Sequence, residues 1–157
     1  MRKRVTTAIP EAAQSREEVW LDLAAAAIVE VTSEDKDFPI ESALSPGQTR
    51  GWRAAEPGTQ TVRLLFDQPH NLKRIWLAFE EAQAGRTQEF VLRWSSDGGG
   101  PWHEIVRQQW NFSPPTTMRE VEEYRVQLSG LAALELTIVP NISGGTARAS
   151  LKSLRLS

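Results

Sequence analysis

Cysteine is missing from this 157-residue chain, and histidine occurs only twice. Without cysteine there are no disulfides and no thiol chemistry, which suits a reducing compartment. The histidines, His70 and His103, lie far apart, and His103-Glu104 has no second histidine one turn on, so a zinc site or a histidine-dependent hydrolase has almost nothing to build on. No Gly-x-Ser-x-Gly elbow and no Gly-x-x-x-x-Gly-Lys phosphate loop occurs. A long hydrophobic run is lacking too: the apolar stretch Leu21 to Val29 contains Asp22 and is far too short to cross a bilayer. Met1-Arg-Lys-Arg4 has the basic start of a signal peptide, but Ile9-Pro10-Glu11 and then Ser15 to Glu18 follow where an apolar core would stand. A soluble, cytoplasmic protein is expected. Neither sign of charge dominates, with 18 basic against 20 acidic side chains and a net charge of −2, so any attraction to nucleic acid or anionic membrane needs a local patch.

The length fits one domain with a core of its own. Residues 1–19 read as a charged, alanine-rich tail, with a short helix expected over Ala12 to Ala27, and residues 20–157 as the folded domain. From Ile28 onward the pattern changes to short strands: residues 28–32, 61–66, 74–79, 89–95, 102–109, 124–128, 134–139 and 149–156. Apolar side chains recur at every second position, which puts Val62, Leu64, Phe66, Ile75, Leu77, Phe79, Leu92, Val126, Leu136 and Ile138 in the core. Trp76, between two of these, points to the opposite face, whereas Trp94 shares the parity of Phe90 and Leu92 and reads as core. Ser95-Ser96-Asp97-Gly98 supplies the turn between two of the strands. The fold class implied is all-β, an eight-stranded antiparallel sandwich or jelly roll.

If every connection reverses the chain, the links fall into two sets. Residues 67–71, 97–101 and 129–131 are short and turn-like, while Ser33–Gln60, Glu81–Thr87, Trp110–Arg119 and Asn141–Ala147 are long and gather at the opposite end. Long loops on a rigid scaffold are where binding residues collect. Arg50, Arg53, Arg86, Arg107 and Arg148 fall in or near them, and their convergence would make that end locally basic. Adjacent carboxylates such as Glu80/Glu81 and Glu122/Glu123 face opposite ways on a strand and do not form an acid/base dyad, so catalysis is not expected. Glu34, Asp35, Asp37 and Glu41 lack the glycine-centred spacing of a calcium loop, and neither a metal nor another cofactor is expected.

Phe38-Pro-Ile-Glu-Ser-Ala-Leu44, then Gly51-Trp-Arg-Ala-Ala55, then Gln60 to Phe66, then Phe90-Val-Leu-Arg-Trp-Ser-Ser-Asp-Gly98 followed by Trp102, resembles the discoidin (coagulation factor V/VIII type C) domain, one of the galactose-binding-like jelly rolls. The resemblance covers residues 28–156 and implies a non-catalytic module holding sugars, phospholipid headgroups or protein partners in the loops at one end. Where many carbohydrate-binding members carry an Asp-Gly calcium loop, this chain reads Leu44-Ser-Pro-Gly-Gln-Thr-Arg50. Trp52-Arg53-Ala54-Ala55 with Gly58 and Thr61 also resembles the amino-terminal domain of the single-strand-break repair scaffold that partners DNA polymerase beta.

The expected ligand is a carbohydrate or similar glycan, bound by Trp52, Arg53, Arg107, Gln109, Trp110 and Asn111. A tryptophan face meets the C–H groups of a sugar while guanidinium and amide groups bond its hydroxyls. The competing reading is that both tryptophans plug the end of the sandwich and Arg53 lies along it. An intracellular protein or nucleic-acid scaffold is the alternative function; a protein partner fits it, whereas nucleic acid and membrane are not the expected partners.

Overall fold

The computed structural model describes residues 20–48 and 50–157. The expected tail, and most of the helix expected over residues 12–27, lie outside them. What the described residues keep of that helix is one turn, α1 (Leu23–Ala26). It leads into β1 (Ala27–Val31), followed by the short helix α2 (Glu41–Leu44). Seven further strands follow: β2 (Trp52–Pro57), β3 (Gln60–Glu80), β4 (Arg86–Ser95), β5 (His103–Phe112), β6 (Arg119–Val139), β7 (Arg148–Leu151) and β8 (Ser153–Leu156).

Every pair of these strands is antiparallel. The number of strands matches the sequence reading, but their composition differs. Residues 61–66 and 74–79 belong to one long strand, β3, and residues 124–128 and 134–139 to another, β6. Residues 67–71 and 129–131, expected as turns, are where these two strands bulge past each other, with register shifts between Leu65 and Arg74. The polar Asp67-Gln68-Pro69 protrudes at the bulge, and Leu72 and Leu131 beside it are fully buried. A bulge and a turn recruit the same residue types, since both leave backbone groups outside the ladder.

Beyond the bulge the partners change. The first half of β3 pairs with β1 and with the second half of β6, which continues into β4 and β5. The second half of β3 pairs with β8 and with the first half of β6. Two layers result, sharing two strands. Phe79 of one layer stacks on Phe90 of the other at 5.2 Å between ring centres, with Tyr124 edge-on to Phe90 at 6.4 Å. Of the ten expected core residues, eight are fully buried in this interior, and Phe66 and Val126 pack half-buried at its margin. Trp94 is likewise half-buried against the core, and Trp76 half-buried on the other face of its strand.

A third pairing, β2 with β7, covers one end of the second layer. β2 was expected as loop, because Trp-Arg-Ala-Ala-Glu-Pro has little strand propensity; its partner lies about a hundred residues away, at Arg148–Leu151. The segment before it is tied down from below. Arg155 donates from Nη1 to Ala43 O at 3.1 Å and from Nη2 to Ser45 O at 3.2 Å, satisfying carbonyls at the end of α2.

Candidate functional site

Three of the four long loops converge, as expected, on an open cleft of about 580 Å³ at one end of the sandwich. Its walls are the Phe38–Arg53 segment, the 80–86 turn, and the 141–152 segment running into β7. The fourth loop, following β5, contributes nothing to it.

The 80–86 turn is folded around one carboxylate. Glu81 accepts from the backbone amides of Gln83 at 3.0 Å and Ala84 at 3.2 Å, and from Arg86 Nε at 2.6 Å. Burial pushes the Glu81 carboxyl up, but the Arg86 hydrogen bond, the two amides and the Arg86 charge outweigh it and hold it below the usual carboxylate range. Arg86 is almost wholly buried, lies over the Phe112 ring at 4.8 Å, and donates from Nη1 to Pro140 O at 2.7 Å. It thereby couples the 80–86 turn to the start of the 141–147 loop. That loop is turned by Asn141, whose side chain accepts from the Ser143 amide at 3.1 Å, and is bound to β4 by the Ile142 amide donating to Thr87 O at 2.9 Å.

On the opposite wall Trp52 forms the floor. It is 1% exposed, and its Nε1 donates to Ser33 O at 3.2 Å. The plug reading therefore holds for Trp52: its ring is not available for stacking. The accessible aromatic is Phe38, half-buried and lining the cleft. Backbone bonds clip its loop onto β2, from the Asp35 amide to Arg53 O at 2.9 Å and from the Arg53 amide to Phe38 O at 3.2 Å. Arg53, exposed, holds its guanidinium 4.5 Å from the centre of the Phe38 ring, and Arg50 lies 5.6 Å from the same centre. Cations over an aromatic face are attracted by its quadrupole. Arg148 and Lys152 complete the basic lining; the first is 3.7 Å from Asp35 and the second 3.4 Å from Glu80. Five basic side chains against two acidic ones line this cleft, in a chain whose net charge is −2.

Of the six residues expected to bind, Trp52 and Arg53 line the cleft, one as floor and one as rim; the other four lie elsewhere, on β5. The sequence reading ended that strand at Gln109, whereas it runs to Phe112, so Trp110 and Asn111 are strand residues. Arg107 and Gln109 face outward and grip Glu89 at 3.0 Å each, and Asn111 accepts from the Thr87 hydroxyl. Trp110 points the other way, half-buried against the core and directly opposite Gln88, with its Nε1 enclosed and without a hydrogen-bond partner among the described residues. Arg107 is the one member of the expected arginine cluster that stays away from the cleft.

Glu34 and Asp35, in the acidic loop considered for calcium, serve the backbone: Glu34 accepts from the Ile40 amide at 2.7 Å and Asp35 from the Asp37 amide at 3.0 Å. No group of three or more His, Asp or Glu side chains is placed to hold a metal ion among the described residues.

Searches against protein-family models and against curated proteins return no match. Solved structures do match. A family 32 carbohydrate-binding module of NanJ from C. perfringens, in complex with galactose, superposes with a TM-score of 0.64 over 87% of this chain and 96% of its own, at 12% identity. The fold is that of these modules. The CBM32 of AlyQ, in complex with 4,5-unsaturated mannuronic acid, gives a TM-score of 0.63 over 84% and 95% of the two chains at 14% identity. Reduced XRCC1, bound to the DNA polymerase beta catalytic domain, gives 0.57 over 84% and 94% at 13% identity. The architecture is thus the galactose-binding-like jelly roll that the residues around Trp52 and Trp94 resemble.

Proposed function

We propose that this protein is a carbohydrate-binding module and that the cleft between Phe38, Arg86 and Arg148 is its site. The observation that carries the reading is the coincidence of a carbohydrate-module fold with a preformed cleft that offers one accessible aromatic ring among directional donors. Phe38 supplies the apolar face, Arg53 and Arg148 the donors at the rim, and Ser150 and Asn141 smaller polar groups between them. The volume lies within the range that encloses a ligand of a few rings.

Binding without turnover fits the same residues. The two carboxylates of the lining, Glu80 and Glu81, are engaged by Lys152 and Arg86, and Glu81 stays ionised with its oxygens taken by donors. Glu81, its oxygens occupied by donors, is not free to shuttle a proton. A glycan array with the full chain tests the reading: binding to a defined saccharide class, lost on Phe38→Ala, supports it, and an empty array defeats it. A second reading, docking of a protein, rests on the similarity to reduced XRCC1 bound to the DNA polymerase beta catalytic domain. A pull-down from native lysate beside the array separates the two.

A further inference from the structure

We infer that the cleft selects an acidic saccharide, one bearing a carboxylate, and that Arg50 and Arg53 on the Phe38 ring are the groups that recognise the charge; this rests on the saccharide reading of the cleft. The three other basic side chains of the lining are each offset by a carboxylate: Arg86 by Glu81, Arg148 by Asp35 and Lys152 by Glu80. Arg50 and Arg53 have no carboxylate partner among the described residues. The protein bond of the Arg50 side chain is from Nη1 to the backbone oxygen of Asp37, at 2.9 Å. Both guanidinium groups nevertheless sit within 6 Å of a single ring centre, where two like charges repel each other. An anion placed between them relieves that repulsion, and a guanidinium fork matches a carboxylate with two parallel hydrogen bonds.

The placement is built into the backbone. Arg53 lies on β2, and its own amide and carbonyl are the groups that clip the Asp35–Phe38 turn in place, so ring and guanidinium are held by the same short stretch. A sugar ring seated on the exposed part of Phe38 would bring its substituents within reach of both arginines. Neutral hydroxyls would leave two uncompensated cations at the rim; a uronate would not.

The test uses the full chain against matched saccharides that differ in charge: polygalacturonate oligomers, hyaluronan oligomers and sialyllactose, each beside its own methyl ester. Titration calorimetry at low salt should show at least tenfold tighter binding to the acidic member of one or more pairs, weakening as salt is added. Arg53→Gln and Arg50→Gln, each with an unchanged melting temperature, should bring the acidic member down to the level of its neutral counterpart. Equal binding within every pair would overturn the charge selection and leave the saccharide reading standing. Binding to no saccharide in any pair would sink both. Tighter binding to single-stranded oligonucleotide than to any acidic saccharide would overturn the inference in favour of a phosphate-chain ligand.

Discussion

Gln88 donates from Nε2 to Glu120 Oε1 at 3.3 Å in the interior between the layers, where Glu120 is fully buried and its other oxygen has no partner among the described residues. Burial, followed by the neighbouring Glu122 carboxylate, pushes the Glu120 carboxyl up to about 8. The folded protein therefore holds this proton more tightly than the unfolded chain does. Its contribution to stability is complete below the ordinary carboxylate range and is lost as pH rises through about 8, with a slope of at most about 1.4 kcal/mol per pH unit. Glu120→Gln keeps the acceptor for Gln88, and it should melt higher than the parent at pH 9 with a flatter profile between pH 5 and 8. An unchanged profile would mean that other groups carry the pH dependence.

Arg86 should prove structural. Its guanidinium joins the Glu81 turn to the carbonyl of Pro140, and removing it leaves a partly buried carboxylate with less compensation. Arg86→Ala should cost roughly 3 kcal/mol in denaturant unfolding. Glu81→Gln should cost less, and it should blunt the loss of stability on acidification, because a carboxylate held below its usual range stabilises the fold only while it stays ionised.

Gly51 precedes Trp52 with φ of +76°, and a Cβ there would lie 2.6 Å from Leu151 O and 2.9 Å from Lys152 Cα. Both backbone conformation and space require glycine. Gly51→Ala should destabilise by more than about 1 kcal/mol and loosen β2 from β7, seen as faster amide exchange at Trp52 and Leu151. Gly47→Ala, also at positive φ but in open space, should be the milder change.

Trp52 and Phe38 should separate packing from binding. Trp52→Ala empties a fully buried site and should cost about 3–5 kcal/mol of stability. Phe38→Ala should leave melting nearly unchanged while weakening the bound saccharide by roughly 1–3 kcal/mol. If Phe38→Ala binds at full strength, the ring is not the platform.

Leu77→Ala and Leu136→Ala, in opposite layers and both essentially unexposed, should each cost about 2–5 kcal/mol. Urea midpoints read this directly.

What could be read from the chain follows the range of the forces involved. Alternation at Val62/Leu64, Ile75/Leu77 and Leu136/Ile138 reports a local preference that the tertiary fold obeys, so core and sandwich were legible. The joins were not: Asp67-Gln-Pro-His and Ser129-Gly130 have turn composition, and only the facing bulges of β3 and β6 show that the ladder continues. Arginine content marked the end that carries the cleft, where Arg50, Arg53, Arg86 and Arg148 stand in its lining. The individual side chains were harder, because Trp110 was assigned to a loop and the two-residue repeat then sends Arg107, Gln109 and Asn111 to a face that does not line the cleft. Phe38, within a segment quoted for its family likeness, gave no local sign that it rather than Trp52 would remain accessible, since that depends on the pairing of β2 with a strand about a hundred residues away.

β3 and β6 each run for 21 residues through both layers. Neither layer can swing or slide without breaking strands it shares with the other, so the two layers do not hinge about each other to close upon a ligand. Any adjustment at the cleft is then confined to the loops the layers carry and to exposed side chains such as Arg53, and the ordering entropy spent on a ligand is confined with it. Affinity changes between related ligands would then be expressed mainly in how fast each one leaves.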